Sequence, residues 1–275
     1  MVRAWSIAVA ATALGCGATD PGASDPLRAE VVIPGDGISL GGILIRPEPP
    51  AGPRPALVLL HGWRESGVNG AETLEPRARS FSAAGYVVLA LSLRGWPPSG
   101  GVDDCGLRQP DDVARAVEWL AGQPGVDGGA IGLVGFSQGG QVALLTAARR
   151  APVAAVVAYF PVTDIARWKA TTTHPTIPAY IATVCEPGGW EARSPRLHAA
   201  DIASPVLLLH GDADLRVPTE QSLLMRDALT AAGRTVALTL IAGAQHGFTP
   251  AEEAVAQPVV DEFLSQWLGP RATRF

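Results

Sequence analysis

From residue 30 onward, short β-branched or leucine-rich runs alternate with longer amphipathic stretches, and nothing repeats with a period of 20–50 residues. This alternation predicts βαβ units: an α/β fold with a mostly parallel sheet of about eight strands and helices on both faces. The runs 30–33 and 38–45 flank Pro34-Gly35-Asp36-Gly37, a turn sequence that predicts an antiparallel hairpin at one sheet edge. Further strands are expected over 56–62, 86–93, 130–136, 153–160, 205–211 and 236–242. Helices are expected over about 72–84, 111–121, 138–150, 219–232 and 256–268. Between 161 and 204 the pattern lapses, and a lapse of that length inside a compact domain reads as a functional excursion, here an expected lid.

With 275 residues, 47% of them apolar and 17% charged, the chain can fold as one domain without metal or disulfide support. A net charge of −5, from 21 basic and 26 acidic residues, lacks the basic face that a nucleic-acid binder needs. Three cysteines exclude a disulfide-rich scaffold and a four-cysteine zinc site. The five histidines form no HExxH pair, so neither metal nor cofactor is predicted. Residues 1–15 carry Arg3 and an apolar stretch over 4–14 that is too short to span a bilayer, and read as an export signal. The small residues running into Cys16 resemble a bacterial lipoprotein lipobox, although Ala13 stands where Leu is usual and Leu14 where a small residue is usual. That resemblance implies lipidation of Cys16 and an exported, membrane-anchored protein; simple secretion and an uncleaved buried helix are the alternatives. Residues 16–29 have the small, polar, proline-bearing composition of a tether, leaving 30–275 as the folded domain.

The chemistry centres on Gly135-Phe136-Ser137-Gln138-Gly139, which follows an apolar strand and opens a helix. This is the nucleophile-elbow pattern, in which a tight strand-to-helix turn holds a serine clear of the sheet and flanking glycines relieve crowding. Ser137 would stand at a helix N-terminus, where backbone N–H groups favour developing negative charge. A serine hydroxyl also needs a base, and the base needs an orienting group. His61 and His210 each end a strand and read as packing residues, whereas His174 and His198 fall in the excursion and read as surface or lid positions. His246 follows the last strand and lies downstream of both Ser137 and an acid, so it is the expected base. Asp214, Asp212 and Asp164 are the candidate acids, each of which could equally serve a turn or a helix cap.

The segment from Ser194-Pro195-Arg196 through His210-Gly211-Asp212-Ala213-Asp214-Leu215-Arg216-Val217-Pro218 resembles prolyl-oligopeptidase-type and dienelactone-hydrolase-type α/β-hydrolases. The similarity runs from about residue 30 to 268 and includes Pro161-Val162-Thr163-Asp164 and Gln245-His246-Gly247-Phe248. It implies an α/β-hydrolase fold and selects Asp214 as the acid, completing the order Ser137, Asp214, His246. An oxyanion hole formed by the backbone N–H groups of Trp63 and Gln138 follows, with Trp63 standing where many relatives have glycine. Oligopeptidase relatives carry a propeller that screens substrates, and with about fifteen residues between the export signal and the first strand, no such filter is expected here.

Trp63, Trp96, Trp168 and Trp190 fall in loops around this site and suggest an apolar pocket, against the alternative that they pack in the core. With Cys16 lipidated or removed, Cys105 and Cys185 remain, both beyond the C-terminal ends of strands; a disulfide between them is expected, the alternative being two buried thiols. The leading expectation is a serine hydrolase that cleaves carboxylic esters through an acyl-enzyme. A peptidase of the same fold, acting on short peptides or acyl-amino acids, is the alternative, and a non-catalytic binding module the second. A metal hydrolase ranks below these.

Overall fold

A computed structural model of the protein describes residues 27–48, 52–63, 67–149, 151–187 and 189–269. The readings of 1–15 as an export signal and of Cys16 as a lipidation site lie outside the described residues, as does nearly all of the tether. The edge hairpin is present as β1 (Arg28–Pro34) against β2 (Ser39–Ile45), and β2 also pairs antiparallel with β4 (Val87–Leu91). From β4 onward the sheet is parallel, through β3 (Arg54–Leu60), β5 (Val126–Phe136), β6 (Ala155–Tyr159), β7 (Val206–Gly211) and β8 (Val236–Ile241). The spatial order is β1-β2-β4-β3-β5-β6-β7-β8, the eight-stranded, mostly parallel sheet that the pattern predicts. β1 starts two residues inside the expected tether because Arg28 pairs in the ladder with Ile45 and its guanidinium reaches Glu75 at 3.1 Å.

The central strands read as unbroken apolar runs because both of their faces are covered. Leu57 and Leu59 pack towards α1 (Gly70–Ala83) and α7 (Pro250–Leu268), with Leu74, Phe81, Val260 and Phe263. Ala56, Val58 and Leu60 point the other way, towards α2 (Gln109–Ala121), α3 (Gln138–Ala148) and α6 (Glu220–Ala231). α7 begins six residues earlier than its apolar periodicity predicts. A capping box starts it: the Thr249 hydroxyl accepts from Glu252 N–H while the Glu252 carboxylate accepts from Thr249 N–H.

The excursion between β6 and β7 is more ordered than its sequence suggests. It holds α4 (Ile165–Thr171), α5 (Ile177–Tyr180), a π-helical turn over Ile181–Cys185 and two 3₁₀ segments. Ile165, Trp168, Ile181 and Val217 bury themselves around Cys105 and Cys185, forming a small third core. These two cysteines are disulfide-bonded, with Cα atoms 5.1 Å apart.

A loop of 80 residues is closed by this bond, worth up to about 4–5 kcal/mol in the chain-entropy model. Reduction, or Cys185→Ser, is expected to lower the thermal midpoint by about 10 °C. Recovery of Cys105 and Cys185 as free thiols from unreduced, denatured protein would contradict the bond.

Candidate active site

β5 ends at Phe136 and α3 begins at Gln138, so Ser137 alone makes the turn, at φ 55° and ψ −116°. Such a conformation costs a non-glycine residue about 1–3 kcal/mol. It is held by Ser137 N–H donating to the Tyr159 carbonyl (2.9 Å) and Gln141 N–H donating to the Ser137 carbonyl (3.1 Å). The flanking glycines serve close approach: a Cβ on Gly135 would fall 2.2 Å from the Gly139 carbonyl oxygen, and one on Gly139 2.2 Å from that of Leu60.

His246, half-buried after β8, bridges the serine and the acid. Its Nε2 lies 3.0 Å from Ser137 Oγ and its Nδ1 2.7 Å from Asp214 Oδ2. A carboxylate only accepts, so Nδ1 carries the proton and Nε2 is free to receive one. The Asp214 side chain is fully buried, and its other oxygen accepts from the N–H groups of Arg216 (2.9 Å) and Val217 (3.0 Å). Burial pushes its carboxyl pKa up, but hydrogen bonds from His210 and His246, the electrostatic pull of His246 and the Val217 N–H outweigh burial and hold it well below the ordinary carboxylate range.

The other two acids are occupied elsewhere. Asp212 is exposed and accepts from Gly243 N–H at 2.6 Å, whereas Asp164 caps α4 through Arg167 N–H and pairs with Arg196. The remaining histidines lie outside this hydrogen-bonded chain. His61 is buried, donates from Nδ1 to the Gly62 carbonyl (2.8 Å) and accepts Leu93 N–H at Nε2 (3.0 Å). His210 is buried between Ser222 Oγ and the Val217 carbonyl, with Nε2 3.4 Å from Asp214. His174 lies against Thr176 and Arg216, and half-buried His198 against the Glu191 carbonyl.

Ser137 and His246 open into a cavity of about 300 Å³. Trp63 and Trp168 line it, together with Phe136, Phe160, Tyr180 and Phe248. Trp96 and Trp190, expected in this pocket, are not among its lining residues. Trp96 is buried in the main core, edge-on to His61 at 5.1 Å, and Trp190 packs against the third core around the disulfide. Aromatic residues in loops carry no sign of which way they turn, so only the packing separates the two pairs. Gln138 also lines the cavity, and the loop carrying Trp63 passes so near the nucleophile that a Cβ on Gly62 would lie 3.1 Å from Ser137 Cβ.

Asp103 and Tyr180, which no sequence pattern marks, meet beside Gln138. Tyr180 Oη donates to Asp103 Oδ2 at 2.8 Å, and Gln138 Nε2 donates to Asp103 Oδ1 at 2.8 Å. One sits in a glycine-rich loop and the other in the excursion, where no periodicity marks buried polar residues. Among the described residues, no group of three or more His, Cys, Asp or Glu is gathered to hold a metal ion.

A serine on a strained strand-to-helix turn, a histidine after the last strand and an acid after the one before it define a serine-type α/β-hydrolase. A profile of the prolyl oligopeptidase family matches residues 73–271, and the chain belongs to that family. It is similar to the uncharacterized peptidase YtmA of Bacillus subtilis, at 27% identity over 248 residues, covering 86% of this chain and 91% of YtmA. A puromycin-hydrolyzing peptidase of Mycobacterium tuberculosis shares the fold, with a TM-score of 0.79 and 24% identity over 89% of this chain but only 40% of its own. The thermophilic esterase Est2 of Thermogutta terrifontis, solved with butyrate bound, superposes with a TM-score of 0.70 at 25% identity, over 90% of this chain and 97% of its own.

Asp214→Asn is expected to lower turnover by roughly 10⁴, because the amide no longer holds His246 in the required tautomer. Asp212→Asn and Asp164→Asn should stay within about tenfold of wild type. A depressed carboxyl pKa stabilises the fold fully above the unfolded value of 3.8 and less as pH falls below it, so the stability gap between wild type and Asp214→Asn should narrow in acid. Matched kinetics and melts across pH check both points; a larger activity loss at Asp212 would move the acid.

Proposed function

We propose that the protein cleaves small carboxylic esters through an acyl-enzyme on Ser137. The observation that carries this reading is the hydrogen-bonded chain Ser137–His246–Asp214 opening into the aromatic-lined cavity. As Ser137 Oγ attacks the ester carbonyl, His246 Nε2 takes its proton and Asp214 stabilises the resulting imidazolium. The backbone N–H groups of Trp63 and Gln138 are assigned to the tetrahedral oxyanion, the second aided by the N-terminus of α3. His246 then returns the proton to the leaving alcohol, and water deacylates the serine by the same route in reverse. Est2, nearly the same length as this chain and solved with butyrate, supports a short acyl group. Family membership and similarity to YtmA favour the second reading, a peptidase acting on short peptides or acyl-amino acids.

Export belongs to the same proposal. It rests on the apolar stretch ahead of Cys16 and on the Cys105–Cys185 disulfide, a bond suited to an oxidising compartment. Among the described residues no helix is long and apolar enough to cross a membrane. Anchoring is assigned to a lipid on Cys16 because small residues run into that cysteine as in a lipobox.

Fluorophosphonate labelling with peptide mapping should place the adduct on Ser137, and Ser137→Ala should abolish it with a turnover loss of roughly 10⁶. A panel of p-nitrophenyl esters against aminoacyl-nitroanilides separates the two substrate readings: ester turnover alone supports the first, anilide turnover the second. Cys16→Ser is expected to move the full chain from the membrane to the soluble fraction; unchanged membrane retention would reject the lipid anchor.

A further inference from the structure

We propose that Asp103 is a positioning residue for the reaction, orienting Gln138 beside the nucleophile and holding Tyr180 as a wall of the cavity. This rests on the serine-hydrolase reading above. Asp103 lies in the loop between β4 and α2, yet its carboxylate gathers donors from four places. Oδ1 accepts from Gln138 Nε2 of α3 (2.8 Å), Gln109 Nε2 of α2 (3.1 Å) and the Cys105 N–H of its own loop (3.0 Å), and Oδ2 accepts from Tyr180 Oη of α5 (2.8 Å). Among these, Gln138 and Tyr180 line the cavity. The Tyr180 ring stands edge-on to Trp63 at 5.9 Å and to Trp168 at 6.4 Å, so one tyrosine touches both aromatic sides of the site. Two residues beyond Asp103, the disulfide ties the same loop to Cys185, five residues beyond Tyr180.

The charge matters because of its direction. A carboxylate donates nothing, so Gln138 must present its NH₂ and Tyr180 its hydroxyl hydrogen. The Gln138 amide is thereby held one way round, with Oε1 buried and making no hydrogen bond among the described residues. The neighbouring charges are committed elsewhere. Asp104 holds Arg108 and the N–H groups of Leu107 and Arg108, while Arg193 donates to the carbonyls of Asp104, Gly189 and Pro187. Asp103 thus makes four hydrogen bonds and, among the described residues, no ion pair. Burial raises its pKa against the pull of those bonds, so the carboxylate stands at a desolvation cost where an asparagine of equal volume would fit. An asparagine could turn its own NH₂ towards Gln138 and let that amide flip.

A double-mutant cycle on the full chain tests this, with kcat expressed per active site titrated by fluorophosphonate. Asp103→Asn is expected to lower kcat by about tenfold to a hundredfold, less than deletion of an oxyanion donor. In a Gln138→Ala background, which keeps the backbone N–H, the same change should lower kcat by less than about twofold. Tyr180→Phe, which removes only the hydroxyl, should raise KM by about threefold or more with kcat nearly constant. A purely structural Asp103 would reduce the titratable fraction and leave kcat per site unchanged. Wild-type kcat in Asp103→Asn, or an equal loss with and without the Gln138 side chain, overturns the inference. If Asp103→Asn does not fold, the Tyr180→Phe KM decides, and an unchanged KM overturns it. Absence of Ser137 labelling in wild type overturns the serine reading and this inference together, whereas labelling with an additive cycle overturns this inference alone.

Discussion

Two backbone segments, the elbow over 135–139 and the end of β3 running into 61–62, approach at Ser137 to distances that exclude side chains, and the arrangement of the site depends on that contact. The carbonyls of Leu60 and His61 lie 2.2 and 2.6 Å from where a Cβ on Gly139 would be, and Gly62 lies directly against Ser137. His61 fixes this approach from behind. Its imidazole spans the Gly62 carbonyl and Leu93 N–H, and it fills the space that a Cβ on Gly70 would occupy, 2.2 Å from its Nε2. A larger residue at Gly139 would therefore separate the loop bearing Trp63 from the nucleophile. The unfavourable dihedrals of Ser137 persist because this packing admits no relaxed alternative.

A second close approach brings base and acid together. A Cβ on Gly211 would fall 2.2 Å from the Ala244 carbonyl oxygen, and Ala213 N–H donates to that same carbonyl at 3.0 Å. The chain ends leaving β7 and β8 are thus held side by side, and the Asp212 carboxylate adds a clasp to Gly243. The excursion is attached differently, through its own small core, the disulfide and the buried Arg193 guanidinium. Its cavity wall is anchored twice: Trp168 Nε1 donates to the Arg216 carbonyl beyond β7 (2.7 Å), and Tyr180 donates to Asp103 in the loop after β4, which is how Asp103 connects it to Gln138.

Much of the fold was legible because apolar runs at strand length and helical periodicity are local signals. The elbow was legible because close approach requires glycine at defined positions. His246 followed from its place after the last strand, whereas choosing Asp214 over Asp212 needed the family resemblance, since both carboxylates occupy one turn and differ only in direction. The start of α7 is not legible from apolar spacing, because a capping box begins it. Trp96 and Trp190 lie outside the pocket their loop positions suggest, because loop aromatics reveal burial only in three dimensions. Asp103 and Tyr180 were invisible for a related reason: residues 77 apart form one hydrogen bond, and neither position carries a pattern.

In the proposed reaction Ser137, held in its strained turn, carries the acyl group. Rapid mixing with p-nitrophenyl butyrate, followed by acid quench and peptide mass analysis, tests it most directly. A burst of nitrophenol stoichiometric with enzyme is expected, with a butyryl group on the peptide containing Ser137. Steady ester turnover with no adduct, or with the adduct on another residue, would contradict it.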